Sequence, residues 1–254
     1  TDRPVIERPA GVIFAADHGV AQAEVSAYPS DVTASMLQAY SKGQATINAF
    51  ARAAGADLVA VDVGVGHPTG DIRTESAMSP ERFDSVVQIA IDTIDALDCD
   101  LLVLGEMGIG NTTVAAAIAA SLAGGETASW VGRGTGVDDA GLARKREAVQ
   151  QAQRRIVGIT DPIEILREVG GAELAALAAA TVAARHRSIP VVLDGYITAA
   201  SVLPLAMVEP SAIDHCIVGH CSAEPGHRKL LERLGKRPLL DLDMRLGEGS
   251  GAMA

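Results

Sequence analysis

The chain has 254 residues, 48% of them hydrophobic and only 3% aromatic, and a formal net charge of −11. That length and apolar content suffice for a substantial core in one domain, and an apolar set of mostly Ala, Val, Ile and Leu suits helices packed closely on a sheet better than a barrel built on large rings. The negative charge argues against a nucleic-acid partner, which needs clustered Lys and Arg, and no apolar run reaches the roughly 18 residues of a membrane span.

The pattern predicts a strand over 11–16 that runs into Asp17-His18-Gly19, then a helix over 33–54. A second strand over 58–63 contains Asp62 and precedes a helix over 80–97. The third strand, 101–104, leads into Gly105-Glu106-Met107-Gly108-Ile109-Gly110-Asn111-Thr112-Thr113 and an Ala-rich helix over 112–122. Helices follow over 140–157 and 172–184, then strands over 190–193 and 213–218, and a helix over 225–234. Strands that alternate with helices imply a doubly wound, mostly parallel sheet with helices on both faces, a Rossmann-like α/β fold, here read as a single domain over 1–254. Asp17, His18, Asp62, Glu106, Asp194, His220, Ser222 and Glu224 are all expected at strand carboxyl ends, the edge where open α/β sheets bind ligands.

The glycines around Glu106 let backbone approach an anion, and the free N–H groups of a first helical turn favour phosphate, with the hydroxyls of Thr112 and Thr113 in support. The spacing from Gly105 to Gly110 resembles a Walker A loop, but Asn111 stands where that loop needs lysine, so ATP hydrolysis is not expected. Gly132-Arg133-Gly134-Thr135-Gly136 precedes a helix that carries Arg144, Lys145 and Arg146. Lys145 is a candidate countercharge, or else part of a solvated basic face. In Gly247-Glu248-Gly249-Ser250-Gly251 a single carboxylate sits among glycines, either as a general base on a cleft floor or in a flexible tail. The histidines lack metal-ligand spacing and no GxSxG is present, so neither a metal site nor a serine hydrolase is expected. Cys99, Cys216 and Cys221 form neither a disulfide framework nor a zinc pattern, which fits a reducing cytoplasm. Residues 1–9 lack the order of a signal peptide, and a start at Thr1 suggests trimming.

Six motifs in order resemble the nicotinate-nucleotide–dimethylbenzimidazole phosphoribosyltransferase family: residues 15–20, 25–29, 105–113, 192–195, 220–226 and 244–251. The resemblance spans nearly the whole chain. It implies a homodimeric, cofactor-free enzyme that uses nicotinate mononucleotide and a benzimidazole base to make α-ribazole 5′-phosphate in cobalamin lower-ligand synthesis. By the same resemblance Glu248 is the general base and Glu106 a second carboxylate near the reacting ribose and base. Gly108, Gly134, Lys145 and Ser222 match positions around the phosphate, with Gly110, Asn111 and Thr112 in the same substrate-binding turn. Tyr28 and Met36 fall in the base pocket, where some members carry small or amide side chains. The resemblance also implies further helical segments that form a smaller domain over the site; the chain is read as lacking them before Thr1 and after Ala254, and the stretch 64–73 is read as shorter than the resemblance leads one to expect. Two other readings stand beside this one, a non-catalytic nucleotide-binding regulatory module and an NAD dehydrogenase, although the latter needs a GxGxxG that is absent.

Overall fold

Alternating residues of the central strands are apolar on both sides, which requires a sheet covered on both faces. In the computed structural model, which describes residues 5–254, that sheet has six strands. Residues 1–4 of the N-terminal stretch lie outside the described residues. The strands are β1 (Pro9–Ala16), β2 (Asp57–Gly64), β3 (Leu101–Met107), β4 (Val191–Leu193), β5 (Cys216–Ser222) and β6 (Pro238–Met244), in the spatial order β2-β1-β3-β4-β5-β6. Every neighbouring pair is parallel. The helices are α1 (Val32–Ser41), α2 (Thr46–Ala54), α3 (Pro80–Asp95), α4 (Asn111–Ala123), α5 (Asp139–Arg155), α6 (Pro162–Val169), α7 (Ala172–His186), α8 (Tyr196–Val208), α9 (Pro225–Leu234) and α10 (Ser250–Met253).

The two faces are unequal. Val12, Phe14, Leu102, Leu104, Val191, Leu193 and Val218 pack into the larger core with α3, α4, α7 and α8. Ile13, Val103 and Val192 point the other way and meet Tyr40, Ile47, Ala51 and Met253 from α1, α2 and α10. Alanine makes the larger layer dense. In α4 residues 114–119 are fully buried, because small side chains let α5 and α8 approach from different sides.

Several sequence expectations shift by identifiable causes. The single helix expected over 33–54 is two, broken where Gly43 takes φ +71. The Asn48 side chain closes that break: it accepts from the Ala45 N–H at 3.0 Å and donates to the Tyr40 carbonyl at 3.0 Å. The strand expected over 213–218 begins at Cys216, because Pro210–Ile213 forms a 3-10 turn capped by Glu209. β6 was not expected at all, since Asp241 and Asp243 interrupt its apolar run and, as an edge strand, it is mostly exposed. Helices α6 and α8 were also missed; α6 starts on Pro162 beneath an Asp161 cap and α8 contains Pro204.

Candidate active site

A cavity of about 390 Å3 opens at the carboxyl edge of β3, β4 and β5. It is lined by Tyr28, Met36, Glu106, Gly108, Asn111, Thr112, Gly134, Ser222 and Glu248, nine of the eleven residues singled out from the sequence. Gly110 and Lys145 stand behind its wall. Gly110 caps α4 at φ +99 and faces Val20 and Ala21, so its contribution is the backbone turn itself. Lys145 reaches the wall through Thr112, to whose hydroxyl its Nζ donates at 2.9 Å.

Glu106 lies inside β3, not in the turn after it, and His220 and Ser222 likewise belong to β5. Placement in a strand explains how rigidly Glu106 is held. The Asn111 amide donates to Glu106 Oε2, so the residue that replaces the Walker lysine serves to fix this carboxyl group. Burial, reinforced by the charges of Glu173, Asp194 and Glu248 and opposed by Asn111, pushes the Glu106 carboxyl well above the usual carboxylate range. The raised proton affinity favours the protonated form of this carboxyl group, which can donate a hydrogen bond.

The turn that follows is less open to an anion than expected. Ile109 N–H donates to the Thr33 hydroxyl, Asn111 N–H to the Gly108 carbonyl, and Thr113 N–H to the Gly110 carbonyl. Gly108 cannot carry a side chain, because a Cβ there would lie 2.7 Å from His18 Nε2 and 2.8 Å from the Ala16 carbonyl. His18 itself does not line the cavity. It pairs with Glu173 at 2.6 Å, both side chains fully buried, and forms the floor under this turn. Asp62 also stays outside, accepting from the N–H groups of Gly64 and Val65 to end its own strand.

The C-terminal glycine motif is a folded part of the site. Glu248 adopts φ +74, a left-handed backbone that costs a β-carbon-bearing residue roughly 1–2 kcal/mol, and Gly249 beside it has φ +89. Asp194 holds the segment in place, accepting from Gly249 N–H at 3.2 Å and Ala252 N–H at 2.8 Å. Burial, and next the negative charge of Asp194, push the Glu248 carboxyl up to about 7. Gly247 passes so close to Glu106 that a Cβ on it would lie 2.8 Å from Oε1, so the two carboxyl groups share one end of the cavity.

Behind the Thr112 wall, Lys145 is 1% exposed, and burial lowers its ammonium to about 8 against the opposing pull of Glu224. Glu224 Oε1 accepts the Gly134 N–H at 2.8 Å. The Ser222 hydroxyl lies 3.0 Å from His227 Nδ1, which also accepts the Ser222 N–H at 2.9 Å. Burial holds His227 down at about 3, so this ring is neutral at pH 7. Of the supporting residues, Asp194 and Glu224 were visible as polar groups after strands but without a role, while His227 carried no sequence signal. Among the described residues no group of three or more His, Cys, Asp or Glu is placed to hold a metal ion, and no helix is long and apolar enough to cross a membrane.

A parallel α/β sheet with two carboxyl groups at one end of its edge cavity and a buried ammonium behind the Thr112 wall fits a transferase of phosphorylated sugars, and a family model described as phosphoribosyltransferase matches residues 1–254. The nicotinate-nucleotide–dimethylbenzimidazole phosphoribosyltransferase of Mesorhizobium japonicum is 50% identical over 252 residues, which is 99% of this chain and 75% of that protein. The solved structure of CobT from Thermus thermophilus superposes with a TM-score of 0.95 at 42% identity, covering 98% of this chain and 80% of that one. A structure of the nicotinate-nucleotide–dimethylbenzimidazole phosphoribosyltransferase from the same organism gives 0.93 at 40% identity, with the same coverage. The chain belongs to the nicotinate-nucleotide–dimethylbenzimidazole phosphoribosyltransferase family.

Proposed function

We propose that this chain transfers the 5-phosphoribosyl group of nicotinate mononucleotide to 5,6-dimethylbenzimidazole or a related base, releasing nicotinate and forming α-ribazole 5′-phosphate for the lower ligand of cobalamin. The observation that carries this reading is Glu248: a carboxylate in a strained, glycine-flanked turn at the cavity wall, with its proton affinity raised to about 7. A group of that affinity is matched to proton transfer near neutral pH.

In this mechanism one ring nitrogen of the benzimidazole attacks C1′ as the C1′–N bond to the pyridinium breaks, and the bonding pair returns to the nicotinate nitrogen. The leaving ring is already cationic and departs neutral, so no acid is needed. Glu248 takes the proton from the other ring nitrogen of the incoming base. Attack opposite the leaving group inverts a β-nucleotide to an α-nucleotide. Glu106, fixed by Asn111 and with its proton affinity raised by burial, offers a hydrogen bond beside the ribose. Thr112, Gly134 and Ser222, with Lys145 behind them, receive the 5′-phosphate, and Tyr28 and Met36 border the base. What the site supplies is position, electrostatics and one base.

We place the reaction in the cytoplasm and the working form as a homodimer. The test is incubation of the chain with nicotinate mononucleotide and dimethylbenzimidazole, with both products followed by chromatography. Equimolar nicotinate and α-ribazole 5′-phosphate are expected. Failure to turn over with any benzimidazole, purine or phenolic acceptor rejects the reading.

A further inference from the structure

Among the buried polar atoms without a hydrogen-bond partner near the carboxyl pair are the hydroxyl of Tyr40 and Oε2 of Glu248. On α1, Val32, Met36 and Tyr40 recur every four residues and share a face. Val32 and Met36 line the cavity beside Glu248, and Tyr40 continues that row inward, 4% exposed among Ile13, Ile47 and Met107. Ile47, of the same apolar cluster as Tyr40, packs against the Glu248 turn, its Cδ1 2.9 Å from where a Cβ on Gly249 would lie. The Asn48 amide donates to the Tyr40 carbonyl, which fixes the backbone that carries the ring. A buried hydroxyl left unpaired is costly, and so is a buried carboxylate oxygen.

We propose that Tyr40 is a positioning residue for the transfer reaction, its hydroxyl donating to Oε2 of Glu248 once the incoming base is bound and so turning the other carboxylate oxygen toward the N–H of that base. This rests on Glu248 being the base. The hydroxyl is a permanent donor, because burial and then the charges of Glu248 and Glu106 hold its proton on far above the usual tyrosine range. Glu106 is the lesser acceptor, since its Oε2 is already taken by Asn111. The ionisable groups that face Glu248 are Asp194 from the end of β4, Glu106 from β3 and Tyr40 from α1, with His220 of β5 turned to Asp194 at 3.5 Å. α2 presents Ile47, and α10 presents Ser250, whose hydroxyl is also buried without a partner.

The experiment is Tyr40→Phe, which keeps the ring and removes only the hydroxyl. It is assayed for kcat, KM and pH profile beside Ser250→Ala, Glu248→Gln and the Tyr40→Phe/Glu248→Gln double variant. A hydrogen bond to the charged form lowers a carboxyl pKa, so its loss moves the acid limb of kcat/KM to higher pH. Tyr40→Phe is expected to show that shift, a roughly tenfold lower kcat and an unchanged KM for nicotinate mononucleotide, while adding nothing in the Glu248→Gln background. Ser250→Ala is expected to leave the limb in place. The proposal is overturned if Tyr40→Phe keeps the parent limb, if its effect persists without Glu248, or if Ser250→Ala moves the limb instead. In each of those cases a strongly impaired Glu248→Gln leaves the base assignment intact; full turnover by Glu248→Gln removes both.

Discussion

The backbone carbonyl of Glu248 rests on the α-carbon of Gly105, so close that a Cβ on Gly105 would lie 2.3 Å from its oxygen. A residue in the middle of β3 thus sets the height of a turn about 140 residues further along the chain, and the contact is possible only for glycine.

Gly105→Ala is therefore expected to push the 247–251 turn outward. An added methyl in a filled site costs typically 1–3 kcal/mol, and a shift of about 1 Å in a reacting group can cost on the order of 100-fold in rate. The variant should lose turnover far more than it loses melting temperature. Circular dichroism melts and steady-state rates measured together check this; equal turnover in parent and variant would mean that the contact does not set the position of Glu248.

The rate should depend on pH through Glu248 at one side and Lys145 at the other. Below about 7 Glu248 is protonated and cannot accept the proton; above about 8 Lys145 loses its charge and phosphate binding weakens. A bell with limbs in those regions is expected in kcat/KM for nicotinate mononucleotide. Asp194 raises the Glu248 value through its negative charge, so Asp194→Asn should move the acid limb to lower pH, the reverse of the direction expected for Tyr40→Phe. An unmoved limb in Asp194→Asn, with the turn still folded, would count against that electrostatic coupling.

Lys145 combines full burial with a single hydroxyl partner, Thr112. Desolvating an ammonium is expensive, and replacing a buried charge by an apolar group of similar volume is often neutral or stabilising. Lys145→Met should hold or raise the melting temperature yet weaken nicotinate mononucleotide binding by roughly 10- to 100-fold, the worth of a charge-assisted hydrogen bond. Lys145→Arg should not restore binding, since the planar, bulkier guanidinium does not fit the space between Thr112 and Gly134. Calorimetric titration of the three proteins distinguishes these outcomes; parental affinity in Lys145→Met would remove Lys145 from the phosphate site.

Much of this was legible in the sequence because strand carboxyl ends advertise themselves: β1, β3 and β4 are short apolar runs that finish in Asp17, Glu106 and Asp194. The phosphoribosyltransferase resemblance was carried by motifs at those ends and agrees with the family match over the whole chain. What sequence periodicity could not show is tertiary. Lys145 sits between Arg144 and Arg146 and has the pattern of a solvated face, whereas α5 turns that one residue into the core. Asn111 marks a departure from the Walker pattern, but its bond to Glu106 depends on the geometry of the turn. The pairing of Asp194 with the N–H groups of Gly249 and Ala252 joins segments more than fifty residues apart and leaves no trace in local spacing. Edge strand β6 and the proline-containing helix α8 escaped because each breaks the pattern that identifies its class.

The central claim is that Glu248 is the proton acceptor in phosphoribosyl transfer, and Glu248→Gln tests it most directly, since the amide keeps the shape of the side chain and removes its basicity. Turnover with nicotinate mononucleotide and dimethylbenzimidazole should fall by roughly 100- to 10,000-fold, with the Kd for nicotinate mononucleotide within a factor of about two of the parent value. Turnover equal to the parent at pH 7 would contradict the account.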